Sequence, residues 1–370
     1  MKKNILILTS EMGQGHMSAA KGIKEGIESA YGKTYNIEIV NFFEFLNKKI
    51  NRMGKKAYEN WARTNAFLVN FIFERWNKKG RMKLLNLLNY PIVYKKISQF
   101  FIEKKPDLII STYPIWDHIT VKILKKYNTR VPFISMITDS TNVHKAWTTA
   151  NVDYHIVTDS STAKAIEKQK VPSKKIKNFG FPVKKAFFNP TDRVTFLESI
   201  KLDPQYFTIL LIAVSQKKKK NIKTVEQIHS MHPDANIIII CGRDEHLKSS
   251  FDQFSKEENI RIIGWTDQMP DFIKSSDLII TKAGGATVME CIAAAKPIII
   301  TKTIARHELG NALYVTKRGL GIFLKRQNSN IGNAVEDIRE NYHAYRTNLF
   351  KASKPKASLE IAHFVHKLLR

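Results

Sequence analysis

The stretch Asp277–Leu324, DLIITKAGGATVMECIAAAKPIIITKTIARHELGNALYVTKRGLGIFL, carries the densest chemistry in the chain. Leu278–Thr281 is a short apolar run that reads as a buried strand, Gly284 and Gly285 make a turn, and a helix is expected over Thr287–Ala295. Glycines there let a ligand approach the backbone, and the first-turn amides at the positive end of the helix dipole suit a phosphate. Glu290, one turn into the helix, is placed to accept hydrogen bonds from sugar hydroxyls. Pro297 opens a second buried strand, Ile298–Thr301, and the loop after it delivers Arg306, His307, Glu308 and Asn311. Two strands therefore feed two loops at one rim, and ligands of open α/β sheets bind at the carboxyl ends of strands. Tight packing alone also produces strand-Gly-Gly-helix units. The added carboxylate and the second polar loop favour a nucleotide-sugar site.

Composition bounds the rest. A chain of 370 residues, 43% of them hydrophobic, is long for one core and implies two globular domains of about 150 to 200 residues. Cys241 and Cys291 sit in apolar or helical contexts and read as buried thiols in a reducing cytoplasm. No apolar stretch approaches the roughly 18 residues of a spanning helix, and Lys2-Lys3 followed by Ile5–Leu8 is too short for a signal peptide. A soluble or peripheral protein is expected. The net charge of +27 favours a polyanionic partner, either acidic lipid or nucleic acid. A genome rich in lysine codons would raise the same count.

Taken in order, the chain begins with a strand, Asn4–Thr9, a loop Gly13-Gln14-Gly15-His16, and a helix to about Tyr31. The loop has neither the third glycine of a dinucleotide fingerprint nor the Gly-Lys-Ser/Thr of a phosphate loop. From Lys48 to Lys105 fifteen lysines and arginines face three glutamates, with ten aromatics interleaved. Such a basic, aromatic-rich segment reads as an interfacial membrane element, with Trp61, Phe71, Phe73 and Trp76 as the inserting side chains. Helices packing these aromatics into a core would give the same pattern, whereas no nucleic-acid module matches. Strand-helix alternation resumes at Asp107–Ser111 and Trp116–Tyr127 and continues through Pro132–Thr138, Asp153–Thr158 and Ser160–Lys170. A polar, proline-bounded linker is expected over 183–204, separating domains 1–182 and 205–370. The second domain opens with the strand Phe207–Val214, then Ser215-Gln216 and four lysines, and a helix to about Met231. The strand Asn236–Ile240 leads to Cys241-Gly242-Arg243, Gly264-Trp265 follows another strand, and helices are expected over Asn330–Leu349 and Ala357–Leu369. The last of these is expected to pack back on the first domain.

Lys282-Ala283-Gly284-Gly285 with Thr287 and Glu290, followed by His307-Glu308 and Asn311, resembles the donor segment of glycosyltransferase family 28, the processive diacylglycerol glucosyltransferases and monogalactosyldiacylglycerol synthases. Gly13-x-Gly15-His16-x-x-Ala19-Ala20 is similar to that family's opening. Thr138-Asp139 with His144-x-x-Trp147 is similar to its acceptor-lining stretch, and Gly180-Phe181-Pro182-Val183 to its exit from the first domain. The resemblance implies a GT-B fold, two facing doubly wound Rossmann-like domains with an interdomain cleft. It implies a donor site built from Gly13, Gly15, Ser215, Arg243, Trp265, Ala283, Gly284, Gly285, Thr287, Glu290, Glu308 and Asn311. The acceptor would meet Asp139, His144 and Trp147, with His16 as general base. Relatives carry glycine where Val214-Ser215-Gln216 leads into lysines, and Pro-Gly-Gln-Glu where this chain has Ala305-Arg306-His307-Glu308, so the donor sugar is not carried over. No Asp-x-Asp triplet occurs. The implied activity is inverting transfer of a hexose from a UDP-sugar to diacylglycerol or a glycosyl-diacylglycerol at the cytoplasmic membrane surface, without metal or other cofactor. A polyprenyl-linked or small hydrophobic acceptor, and a non-catalytic lipid-binding relative, are the alternatives; UDP-hexose, lipid acceptor and an anionic membrane surface are the expected partners.

Overall fold

Runs such as Ile5-Leu6-Ile7-Leu8 and Ile237–Ile240 have no polar face, and both are buried throughout. A strand apolar on both sides needs cover on both sides, which a parallel sheet between helices provides. The computed structural model, which describes residues 2–11, 14–46, 90–139, 143–214, 218–303, 306–325 and 330–370, builds two such sheets. Trp61, Phe71, Phe73 and Trp76 lie outside the described residues, as do Gly13 and Ser215.

One compact unit holds Met1–Lys185, Ala305–His307 and Lys356–Arg370; the other holds Ala186–Ile304 and Glu308–Pro355. The first unit runs β1 (Lys3–Thr9), α1 (Gln14–Tyr31), β2 (Tyr35–Asn41), α2 (Phe42–Leu46), α3 (Tyr90–Lys104), β3 (Leu108–Ser111), α4 (Pro114–Lys126), β4 (Phe133–Met136), β5 (Tyr154–Ile156), α5 (Ser160–Glu167) and β6 (Ile176–Lys177). Its strands are all parallel, in the order β2-β1-β3-β4-β5-β6. The chain therefore steps from β1 outward to β2 and returns on the other side at β3. That reversal opens a crevice at the carboxyl ends of β1 and β3.

The second unit runs α6 (Arg193–Ser199), β7 (Thr208–Ile212), α7 (Lys218–Met231), β8 (Asn236–Ile240), α8 (Glu245–Ser249), β9 (Ile260–Ile263), α9 (Met269–Ser275), β10 (Leu278–Lys282), α10 (Gly285–Ala293), β11 (Ile298–Lys302), α11 (Arg306–Lys317), β12 (Gly321–Phe323), α12 (Ile331–Glu340) and α13 (Tyr342–Ala352). The order β12-β11-β10-β7-β8-β9 places its reversal between β7 and β10.

Three expectations meet a different arrangement. The stretch 183–204 divides after Lys185 and carries a helix, α6, whose Arg193 pairs with Asp277 at 2.9 Å and whose Phe196 meets Phe272 edge-on at 5.0 Å. The helix expected over Asn330–Leu349 is two helices, parted at Asn341, whose side-chain amide and backbone N–H both donate to the Asp337 carbonyl. The helix expected to begin at Thr287 begins at Gly285, with Gly284 as its N-cap residue.

The last helix, α14 (Ala357–Leu369), packs along α1 in the first unit. Gly22 and Gly26 permit this approach: a Cβ at Gly22 would overlap the Pro182 carbonyl, and one at Gly26 the backbone of Ser358. The Ser358 hydroxyl donates to the Val183 carbonyl, Lys3 donates to the Leu369 carbonyl, and the His366 ring stacks on Tyr31 at 4.0 Å.

Candidate active site

Hydroxyls end three neighbouring strands of the first sheet, and they organise the crevice between β1 and β3. Thr9 closes β1, Thr112 follows β3 and Thr138 follows β4; all three are buried. The Thr112 hydroxyl lies 2.8 Å from that of Thr9 and donates to the His16 carbonyl at 3.0 Å, while the Trp116 indole donates to the Thr9 carbonyl at 2.9 Å. His16, half-buried in the first turn of α1, places Nδ1 2.7 Å from the Thr112 carbonyl and 3.0 Å from the Thr138 hydroxyl. A carbonyl can only accept, so Nδ1 carries a hydrogen and the lone pair of the neutral ring resides on Nε2. Tyr113 meets the imidazole edge-on at 5.1 Å, and Trp147 lies 6.1 Å from it.

Trp147 donates its indole N–H to Asp139 at 2.8 Å, joining two of the acceptor-side residues read from the sequence. His144 is employed differently: buried, it caps the short 3-10 turn Lys145–Trp147, its Nδ1 accepting from the Ala146 amide at 3.0 Å. The Ala146 carbonyl is 3.0 Å from His118 Nε2, which anchors the same turn to α4. Gly15 lies in the first turn of α1, adjoining His16.

In the second unit the decisive turn links β10 to α10. Gly284 is extended (φ −66°, ψ 128°) and no side chain caps the helix. Ala283 is buried, and the Asn311 amide donates to its carbonyl at 3.0 Å. Lys282 and Glu308 are ion-paired at 2.9 Å; the Glu308 side chain is 8% exposed and that of Lys282 39%. Glu308 and Asn311, one turn apart on α11, thus tie that helix to the glycine turn. Glu290 is half-buried on α10. Arg243 and Trp265 meet across the ends of β8 and β9, the guanidinium 4.9 Å over an indole that is 57% exposed. Gly242 between Cys241 and Arg243 has φ +62°, a left-handed backbone that favours glycine.

Lysines also open the helix that follows β7, the strand next to β10. Lys218, Lys219 and Lys220 form the first turn of α7, where the helix dipole disfavours cations. The Asn221 amide ties that turn back to the Val214 carbonyl at the end of β7, at 2.9 Å. The sequence assigned no role of their own to Thr112, Thr138 and Lys282, although Thr138 and Lys282 stand in the motifs quoted above. The available signal was a hydroxyl or ammonium closing each apolar strand, a pattern that becomes specific only when the strands are seen side by side.

A doubly wound parallel sheet in each of two units, each with polar residues at the carboxyl ends of its central strands, defines a GT-B glycosyltransferase fold. The glycotransferase of kitacinnamycin aligns with a TM-score of 0.65 at 11% identity, covering 100% of this chain and 99% of that one. The UDP-GlcNAc 2-epimerase of Neisseria meningitidis, bound to UDP-GlcNAc, aligns at 0.62 with 13% identity, covering 100% and 99%. At these identities the likeness is one of fold. Residues 16–183 match the monogalactosyldiacylglycerol (MGDG) synthase family, and residues 208–367 the glycosyltransferase family 28 C-terminal domain. The chain belongs to glycosyltransferase family 28. It is similar to a processive diacylglycerol beta-glucosyltransferase of Bacillus licheniformis, 26% identical over 98% of this chain and 91% of that protein. Monogalactosyldiacylglycerol synthase 1 of Arabidopsis thaliana is 25% identical over 100% of this chain and 71% of that protein.

Proposed function

We propose that the protein transfers a hexose from a UDP-sugar to the hydroxyl of diacylglycerol or a glycosyl-diacylglycerol, with inversion at the anomeric carbon. The observation that carries this reading is the match of both halves of the chain, in order, to the two family domains, reinforced by a diacylglycerol glucosyltransferase relative matched over 91% of its length. In the first unit His16 is the general base. With its hydrogen on Nδ1, its Nε2 lone pair accepts the proton of the lipid hydroxyl as that oxygen attacks the sugar from the face opposite UDP. Asp139 and Trp147 line the acceptor side.

The second unit holds the donor. Ribose hydroxyls meet Glu290, the uracil lies by Arg243 and Trp265, and the diphosphate meets the amides of Gly284 to Thr287 at the uncapped end of α10. Lysines in the first turn of α7 and Lys282 beside the turn supply positive charge for the leaving group, so no metal is needed. Glu308 and Asn311 position the hexose.

The reaction takes place on the cytoplasmic face of the membrane. A diacylglycerol leaving the bilayer would expose methylenes at about 0.8 kcal/mol each, so the enzyme must come to the lipid. No helix among the described residues is long and apolar enough to cross a membrane. The net +12 between Lys48 and Lys105, from fifteen basic and three acidic residues, supplies an attraction to anionic lipid.

The test is incubation of the purified protein with diacylglycerol vesicles and, separately, UDP-glucose, UDP-galactose and UDP-GlcNAc, with mass spectrometry of the extracted lipid. A hexosyl-diacylglycerol formed equally well with EDTA present is expected. UDP release without glycolipid, or absolute dependence on added Mg²⁺ or Mn²⁺, would contradict the acceptor or the metal-free donor site respectively.

A further inference from the structure

His118, in the second turn of α4, has no part in the chemistry proposed above, yet it holds the turn that carries Trp147. Its Nε2 lies 3.0 Å from the Ala146 carbonyl, and a carbonyl can only accept, so the imidazole is the donor. The Thr149 hydroxyl, which donates to the Lys145 carbonyl at 3.0 Å, lies 3.3 Å from the same nitrogen. The peptide joining Ala146 to Trp147 is thereby fixed at both polar atoms, its carbonyl by His118 and its N–H by the His144 carbonyl at 3.0 Å. A second tether comes from beyond α5. Gln169 donates to the Val143 carbonyl at 2.8 Å and accepts from the Thr148 hydroxyl at 2.6 Å. A 3-10 turn of three residues has little ladder of its own, so these side chains give it its shape.

The same helix reaches the proposed base. Tyr113, the N-cap residue of α4, meets the His16 ring edge-on at 5.1 Å, and Trp147, 6.1 Å from that ring, donates its indole N–H to Asp139 at 2.8 Å. Trp147 is 1% exposed and packs in one core cluster with Ile137, Val143 and Val157, so its ring follows the backbone of the turn. We propose that His118 is a positioning residue: through the Ala146 carbonyl it fixes the Trp147 turn to α4, and so holds the Asp139 carboxylate in register with His16 for the acceptor hydroxyl, with Gln169 as the second tether. The proposal rests on Asp139 and Trp147 lining the acceptor side. Without the imidazole, the carbonyl of buried Ala146 loses its donor and the turn its attachment to α4. A misplacement of about 1 Å in a positioning group is enough to cost on the order of 10²-fold in rate.

Initial rates of UDP release are measured with dioleoylglycerol varied in mixed micelles and the better of UDP-glucose and UDP-galactose at saturation, alongside UDP binding by calorimetry and hydrogen exchange of residues 143–149 by mass spectrometry. His118→Phe keeps a ring and has no donor. It should raise KM for dioleoylglycerol about fivefold or more, speed exchange across residues 143–149 and leave the UDP isotherm unchanged. His118→Gln, whose amide N–H can replace that of Nε2, should bring KM and exchange back to within about twofold of wild type. Gln169→Leu should act in the same direction as His118→Phe. A merely structural loss would instead lower kcat through fewer folded molecules at an unchanged KM. A wild-type KM or unaltered exchange in His118→Phe, or a glutamine variant no better than the phenylalanine one, overturns the positioning role; should His118→Phe not fold, Gln169→Leu decides in its place. Trp147→Phe, which loses the N–H to Asp139, separates the two readings. A wild-type KM there means the acceptor assignment fails, whereas a raised KM there with His118→Phe at the wild-type value sinks only the role of His118.

Discussion

At the scale of the residue, the proposed base and the proposed ribose contact should fail in opposite ways. His16→Ala removes a group that acts in the transition state, so turnover should drop by about 10² to 10⁴ while UDP affinity is nearly unchanged. Glu290→Ala leaves ribose hydroxyls without their partner and should weaken UDP binding by roughly 1 to 3 kcal/mol. Calorimetric titration of UDP into each variant, together with initial rates, reads both quantities. Equal losses of kcat and UDP affinity in His16→Ala would make that histidine structural; an unchanged UDP isotherm for Glu290→Ala would move the ribose elsewhere. The glycine turn, Glu290 and the polar loop after β11 were legible because each lies within a few residues of a strand end. Thr112 and Thr138 were not, since they reach His16 across sequence separations of 96 and 122 residues.

At the scale of the element, α1 has two tasks. It carries His16 in its first turn, and through Gly22 and Gly26 it seats the Pro182–Val183 segment and α14. Gly26→Val would drive a side chain into the Ser358 backbone, and overpacking of this kind costs on the order of 1 to 3 kcal/mol. Because α1 must tilt to relieve the clash, a lower melting temperature and a lower kcat should appear together. UDP affinity should hold, since the proposed donor contacts lie on other elements. An unchanged melting temperature would show that α14 can shift without loss. Gly22 and Gly26 stand four apart, but the surfaces they approach, Pro182 for the one and Ser358 for the other, come from segments far along the chain that no local pattern names.

At the scale of the whole molecule, the +27 charge and the aromatic-rich basic segment should act by separable forces. Each basic side chain near an anionic surface contributes on the order of 1 kcal/mol, screened by salt, whereas indole insertion at headgroup depth is not screened. Vesicle sedimentation should therefore require anionic lipid and weaken as salt rises, and replacing Trp61 and Trp76 by alanine should weaken it at every salt concentration. Equal sedimentation with neutral and anionic vesicles would refute the electrostatic part. A Trp61→Ala, Trp76→Ala double variant that melts early, with binding lost only on unfolding, would assign those rings to a core instead.

Two runs of alternating strand and helix, with a glycine turn after a strand in each, could be read from the sequence because strand burial, glycine turns and helix starts are local properties, encoded within about ten residues. Strand order, and with it the two crevices, needed the tertiary structure: β1 pairs with both β2 and β3, and β7 with both β8 and β10, which no local period specifies. The same holds for the proton on His16 Nδ1, the pairing of Lys282 with Glu308, the turn that occupies His144, and the bond from His118 to that turn. Each depends on a partner that chain closure brings from a distant element. A residue type announces what chemistry it can do; its neighbours in space decide which protonation state and which hydrogen bonds remain for doing it.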